Sequence, residues 1–379
     1  MSTKKLIDLI QGYYQTKEYI PLHAPIFGGN ERKYVLDTLD STFVSSVGAY
    51  VDRFEKHLAN YTKAKHAVAT VNGTAALHTA LFLSGVQKGD LVITQALTFV
   101  ATCNAISYLG AEPVFVDVNL DTLGLCPKAL SEFLDLECEV LEQACFHNSG
   151  KRIRAVVVMH TFGHPAKVDL LKKICEKYFI ELIEDAAESL GSLYNEQHTG
   201  TFSSISALSF NGNKVITTGG GGMILCDSAK LASRAKHITT TAKQAHPFEF
   251  YHDEVAFNYR MPNINAALGC GQFEQLENYI IKKRELANFY LNELKGTDFE
   301  FFQEPTNARS NYWLNAIICP SKKYRDVVLN DTNCVGVMTR PVWNLMHKLP
   351  MYQACLKGPL PISEKISELI VNLPSTPHF

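Results

Sequence analysis

Apolar runs of strand length alternate with segments of helical spacing through the middle of this chain, and that alternation limits the folds open to it. Ala155–His160 is a near-continuous apolar run. Val168, Leu171, Ile174, Cys175 and Tyr178 then fall at helical spacing, and Ile180–Ile183 is the next apolar run. His66–Val71 followed by Ala75–Leu83 is another strand and helix. Strands that are apolar on both faces belong to parallel sheets covered by helices. The expected class is therefore α/β, a mainly parallel, doubly covered sheet with right-handed connections.

The chain has 379 residues, more than one hydrophobic core usually serves, so two domains are expected. Residues 1–25 read as an arm with a short helix. Residues 26–270 read as a large domain, which is helical from Asn30 to Tyr61 apart from a break near Ser45–Gly48. Residues 271–379 read as a smaller α/β domain. There Phe273, Leu276, Ile280, Ala287, Leu291 and Leu294 share one face of a long helix. Strands are expected at Phe299–Phe302, Tyr312–Cys319 and Val335–Thr339, with a helix around Lys322–Leu329.

Lys and Arg number 36 against 38 Asp and Glu, and 46% of residues are hydrophobic. That balance excludes a disordered chain and gives no basic excess for nucleic acid. Ten cysteines are scattered without a CxxC pair, the pattern of reduced thiols in a cytoplasmic protein. Met1–Gln11 is too polar for a signal peptide. Leu91–Ala111 lacks charge but holds Thr94, Gln95, Thr98, Thr102, Asn104 and Ser107. It reads as strand Leu91–Thr94, a polar loop and helix Val100–Leu109, not as a membrane span.

Three places carry chemistry. Asn72-Gly73-Thr74 joins a strand to a helix. A glycine there lets a ligand approach the backbone, Thr74 can cap the helix, and the free amides attract an anion. An ordinary strand–turn–helix has the same residues. Asp185 follows the apolar run in Leu182-Ile183-Glu184-Asp185-Ala186-Ala187-Glu188, where strand ends face a ligand crevice. It could equally cap a helix, and pairing it with Glu188 as acid and base would suit a glycosidase. Nothing nearby suggests a sugar-stacking cleft with two poised carboxylates. Lys214, in Ser209-Phe210-Asn211-Gly212-Asn213-Lys214, precedes an apolar stretch and the glycines Gly219–Gly222. A desolvated lysine is a nucleophile for carbonyls, whereas a hairpin lysine is merely solvated. The glycines fit neither a P-loop nor a dinucleotide fingerprint. His160 and His164 are four apart, but Gly163 and Pro165 argue against a helical zinc pair and leave a structural or substrate-contacting role, so no metal is expected. Together the three places supply an anion cradle, a strand-end carboxylate and a nucleophilic lysine. Pyridoxal phosphate requires all three.

From about Ile20 onward the chain resembles the DegT/DnrJ group of nucleotide-sugar aminotransferases. The matching segments, in order, are Val47–Glu55, Asn72–Leu77, Thr98–Thr102, Glu184–Glu188, Ser209-Phe210 with Lys214, Gly219–Gly222 and Asn258–Met261. The resemblance implies the fold type I of pyridoxal phosphate enzymes, with a mainly parallel seven-stranded sheet in the large domain. It also implies that Lys214 forms the Schiff base and moves the proton, and that Asp185 pairs with the pyridine nitrogen. Gly73, Thr74 and Ser209 would hold the phosphate, and Phe99 would stack on the ring. Asn258 would reach the cofactor of the other subunit in a homodimer with shared sites. Position 188 is commonly glutamine in the group and contacts the ring hydroxyl, whereas here it is Glu188, which donates only when protonated.

A closer likeness is to the branch that aminates C4 of 4-keto-6-deoxy-N-acetylhexosamine nucleotides for bacillosamine and legionaminic acid. It rests on Leu22–Pro25, Asp40–Gly48, Thr94–Phe99 and Asn372–Ser375. The expected substrates are a nucleotide sugar and glutamate. His160, Arg340, Trp343 and His347 are the expected substrate contacts. Other readings are a transaminase of a free octulosonate or cyclitol ketone and a non-catalytic sensor of the same fold. A dehydratase branch carries histidine where this chain has Lys214.

Overall fold

The computed structural model describes residues 2–379. Its strands are β1 (His66–Thr70), β2 (Leu91–Gln95), β3 (Glu112–Val116), β4 (Cys138–Leu141), β5 (Ala144–His147), β6 (Arg152–Met159), β7 (Glu181–Asp185), β8 (Leu193–Tyr194) and β9 (Gln197–His198). They continue as β10 (Ile205–Ser209), β11 (Gly222–Cys226), β12 (Glu300–Phe301), β13 (Ala308–Arg309), β14 (Asn315–Ile318), β15 (Arg340–Pro341) and β16 (Ile370–Leu373).

The main sheet runs β1-β11-β10-β7-β6-β2-β3. Strands β3, β2, β6, β7 and β10 are mutually parallel, and β11 lies antiparallel between β1 and β10. This path has the expected seven strands. The hairpin β4–β5, which has no apolar run to reveal it, attaches to the first residues of β6 and brings the sheet to nine strands.

Both faces of the sheet are buried. Val157 and Ile183 point to one side, under the helices Gly73–Leu83, Val100–Tyr108 and Ala229–Thr239. Val156 and Val158 point to the other, under Pro127–Glu137 and Val168–Lys177. Successive strand residues therefore serve opposite cores, which is why β6 reads as one unbroken apolar run. Each such valine contributes roughly 1.5–3 kcal/mol of burial.

A four-stranded antiparallel sheet, β12-β14-β16-β15, forms a second layer. Leu6 and Ile10 of the helix Thr3–Tyr14 share its core with Leu286 and Tyr290 of Leu276–Glu293 and Val328 of Lys322–Cys334. Lys283 is fully buried there. Its ammonium donates to the carbonyls of Trp313 (3.0 Å) and Ser375 (2.6 Å), and burial pushes its pKa well below the ordinary amine range.

Two sequence expectations are corrected. The long helix expected over Phe273–Leu294 is present as Leu276–Glu293, but Phe273 ends a separate preceding helix, Asn263–Phe273. Gly269 and Gly271 lie in that preceding helix, where a Cβ would meet the Phe54 ring at 2.9 Å and the Glu31 backbone at 2.7 Å. The strand expected at Val335–Thr339 is absent, because the helix from Lys322 runs on to Cys334. Gly336, at φ +79°, then turns the chain, and Val337 makes a single bridge to Ile20 before β15 begins. All ten cysteines are free thiols. Among the described residues no helix is long and apolar enough to cross a membrane.

Winding reverses between the neighbours β2 and β6: β3 is added outside β2, and β7 and β10 on the far side of β6. In an open parallel sheet the crevice outside the carboxyl ends of strands at such a point is where ligands bind.

Candidate active site

A cleft of about 330 Å³ opens at those strand ends, lined by Gly73, Thr74, Phe99, Asp185, Glu188, Ser209, Lys214, Trp313 and Trp343 among others. The turn after β1 begins it. Asn72, not Thr74, caps the helix Gly73–Leu83, its side chain accepting from the Ala75 amide at 2.7 Å. Thr74 is thereby left free to face the cleft. A Cβ on Gly73 would sit 2.7 Å from the Ser209 Cβ, so only glycine lets the helix start and the end of β10 approach this closely. Unpaired first-turn amides beside the Ser209 hydroxyl make an anion cradle.

Three acidic side chains lie at or just past the end of β7. Glu184 is buried, and both its oxygens are used: Oε1 by His160 Nε2 (3.2 Å) and the Gly200 amide (2.6 Å), Oε2 by the amides of Phe202 and Ser203 and the Ser203 hydroxyl. Burial pushes its pKa up, but the bonds from His160, Gly200 and Ser203 outweigh it and hold the carboxyl below the ordinary range. Asp185 accepts from the Thr102 hydroxyl (2.7 Å) and the Ala187 amide (3.2 Å), and burial leaves its pKa raised. Glu188 accepts from the Phe162 amide at 2.9 Å, and its other oxygen lies 3.3 Å from Lys214 Nζ. Burial pushes its pKa up to about 7, against the opposing charge of Lys214.

Lys214 emerges from the tight turn Asn211–Lys214, closed by its own amide on the Asn211 carbonyl. Its ammonium rests 3.8 Å from the Trp313 ring centroid. Trp313 in turn donates its indole N–H to the Asn213 carbonyl at 2.6 Å. Asn311 fastens this segment to the wall, donating to the carbonyls of Glu188 and Leu190 and accepting from the Trp313 amide. Phe99, at 47% exposure, stands at the mouth with its ring 6.0 Å from that of Trp343.

The cleft thus gathers Gly73, Thr74, Phe99, Asp185, Glu188, Ser209, Lys214 and Trp343. Four other candidates stay outside it. The His160 ring is wholly buried, its Nδ1 accepting from the Ala166 amide and its Nε2 facing Glu184, the structural arrangement rather than a place in the cleft lining. His347 is nearly buried and faces Glu364 at 3.6 Å. Arg340 lines an adjoining cavity of about 590 Å³, which shares Asn213, Trp313 and Trp343 with the cleft. Asn258 lies on an exposed stretch, its side-chain oxygen held by Arg260 at 3.0 Å. Sequence reasoning missed Thr102 as a partner of Asp185, and it missed Trp313 and Asn311. The motif Thr98–Thr102 was in view, but Trp313 and Asn311 lie 100 or more residues from the carbonyls they bond, those of Asn213, Glu188 and Leu190.

This donor set fits pyridoxal phosphate. It combines a cradle emptied of its Cβ, a buried carboxylate and a lysine at one cleft. The comparisons agree. Residues 25–379 match the DegT/DnrJ/EryC1/StrS aminotransferase family. The chain is 35% identical to the GDP-perosamine synthase of Escherichia coli O157:H7 over 96% of its own length and 94% of that protein's. It is also 35% identical to a Bacillus subtilis (strain 168) protein named as a pyridoxal phosphate-dependent aminotransferase, EpsN, over 89% and 84% of the two chains. A solved DegT/DnrJ/EryC1/StrS aminotransferase from Brucella abortus superposes with a TM-score of 0.83 at 25% identity, covering 92% and 91%. The fold and cleft are those of a pyridoxal phosphate-dependent transaminase. The chain belongs to the DegT/DnrJ/EryC1/StrS aminotransferase family.

Proposed function

We propose that the enzyme moves an amino group from glutamate to C4 of a nucleotide-linked 4-keto-6-deoxy-N-acetylhexosamine, for the synthesis of a surface-glycan amino sugar. The observation that carries this reading is the meeting of Lys214, Asp185 and the Gly73–Thr74 cradle in one cleft that opens onto a second, basic cavity. Lys322, Arg325, Arg340 and Lys348 line that cavity against the single acid Glu368. It suits the anionic tail of a nucleotide sugar, and the chain's net charge of −2 offers no global attraction instead. The likeness to GDP-perosamine synthase supports a nucleotide-linked sugar and makes GDP a carrier to test beside UDP.

When bound, pyridoxal phosphate supplies the aldehyde that carries the amino group and an electron sink. Gly73, Thr74 and Ser209 would hold its phosphate, and Phe99 would stand against its ring. Asp185 would pair with the pyridine nitrogen and keep it protonated. Glu188 would face the ring hydroxyl, and the burial that raises its pKa favours the protonated carboxyl that can donate. Lys214 is the amine that would hold the aldehyde end of the cofactor and would move the proton at the reacting carbon, a task suited to an amine fixed beside the reacting atoms. Asn258 serves the neighbouring subunit of a cytoplasmic homodimer.

The test is a two-stage assay. Cofactor-loaded protein should release 2-oxoglutarate from glutamate and then pass the amine to a keto-sugar nucleotide, scored over UDP and GDP carriers. Sodium borohydride should fix the cofactor to Lys214. Turnover of glutamate with a free octulosonate or cyclitol ketone, and with no nucleotide sugar, would overturn the substrate assignment.

A further inference from the structure

The chain holds two tryptophans, and both line the cleft. Trp343 does what an aromatic at a cleft usually does, meeting Phe99 and Phe162 at centroid distances of 6.0 and 5.4 Å. Trp313 differs. It is 4% exposed, and it is anchored at three polar points. Its amide donates to Asn311 Oδ1 (2.8 Å), its carbonyl accepts from the buried Lys283 (3.0 Å), and its indole N–H donates to the Asn213 carbonyl (2.6 Å). The last bond ties it to the residue immediately before Lys214. With its edge and backbone fixed, one ring face is left to receive the Lys214 ammonium at 3.8 Å. Glu188 Oε1 lies 3.3 Å from the same nitrogen.

We propose that Trp313 is a positioning residue for Lys214, its indole face holding the free ε-ammonium at the cofactor cleft. The physical basis is the attraction of a cation to the face of indole, the strongest of the aromatic side chains in this role, in a site largely closed to water. A lysine that takes up a proton becomes an ammonium on four rotatable bonds. Without a fixed acceptor for that charge it would be free to swing out of the cleft. Trp313 and Glu188 together give the charged amine one place to rest. The proposal relies on the reading of Lys214 as the amine that binds the cofactor, and its test is made on cofactor-free protein so that the two stand or fall separately.

Cofactor-free protein is treated with trace acetic anhydride at fixed pH, and acetylation at Lys214 is measured by peptide mass spectrometry against the exposed Lys17 and Lys295 as internal standards. Trp313→Leu should raise the relative rate at Lys214 by about tenfold, and Trp313→Phe, which keeps an aromatic face, by less than about threefold. Equal rates in wild type and a folded Leu variant would overturn the proposal. So would an equal rise in both variants, since the indole N–H bond to Asn213 and not the ring face would then hold the site. Should the Leu variant fail to fold, a second measurement decides. In a Trp343→Phe background Trp313 is the sole tryptophan, and Lys214→Met should change its emission by removing the cation from its face. An unchanged spectrum would overturn the proposal. Borohydride fixation of the cofactor at a residue other than Lys214 would overturn the underlying reading and leave the emission result standing.

Discussion

In the floor formed by the end of β7, where Asp185 lines the cleft and Glu184 lies buried behind it, every carboxylate oxygen has a protein partner, while Phe99, Arg340 and Asn258, at or beyond the rim, are exposed. Floor residues come from strand ends and are held by amides of the same layer. Rim residues come from loops, the second sheet and an exposed stretch. A pyridine ring and its phosphate are the same in every turnover, so their donors can be fixed in advance. A sugar with a long anionic tail must enter and leave, and its contacts are correspondingly open. Between the two lies Glu188, buried like Glu184 but with one oxygen turned to Lys214. Two buried glutamates four residues apart are therefore pushed in opposite directions, and the number of donors around each decides which.

Substitutions should separate floor from rim. The largest effect is expected at Lys214. Lys214→Ala should lower transamination by up to about 10⁴-fold and abolish borohydride fixation, with unfolding by urea nearly unchanged. Next is Glu184→Ala, which strands the amides of Gly200, Phe202 and Ser203 in the interior. Stability should fall by about 3–5 kcal/mol in urea, whereas a loss within about 0.5 kcal/mol would mean that the floor is not held by this carboxylate. Glu188→Gln should act through pH. With a carboxyl raised from 4.5 to about 7, the cofactor-free folded state binds the extra proton, so stability is full below pH 4.5 and drains away as pH rises through 7. The glutamine variant should flatten that slope, removing about 3 kcal/mol of pH dependence across the window. The smallest effect on the fold belongs to Asn258→Ala on its exposed stretch outside the cleft, within about 0.5 kcal/mol in urea. Cofactor retention should nevertheless drop, and a dilution series should show that it drops only where subunits are associated.

The floor was largely legible in the sequence. Gly73 and Asp185 sit where a strand gives way to a turn or loop, and a local pattern marks such junctions, whereas Ser209 was pointed to only by the resemblance to the family. Lys214 was legible because a lysine beside glycines and an apolar stretch is unusual. What was not legible has physical causes too. His160 stands one residue past an apolar strand just as Asp185 ends one, and nothing in that pattern tells a ring buried outside the cleft from a side chain that lines it. Trp313 and Asn311 reach the site through hydrogen bonds to Asn213 and Glu188, contacts that leave no periodic trace. The end of the helix at Cys334 was missed because Gly336, not a change in hydrophobic spacing, terminates it.

The place of β1 in the sheet bears on how the enzyme is made. Within that sheet β1 pairs with β11 alone, in a register running from His66 opposite Cys226 to Thr70 opposite Gly222. The turn that carries Gly73 hangs from the end of β1. As the chain grows, that edge has no partner until some 150 residues later have been synthesised, and long-range pairing of this kind is the slow part of folding. The turn that carries Gly73, encoded near the start of the large sheet, thus hangs from a strand whose sheet partner is made much later. Early-emerging chain must wait, with β1 unpaired, for its neighbour to arrive.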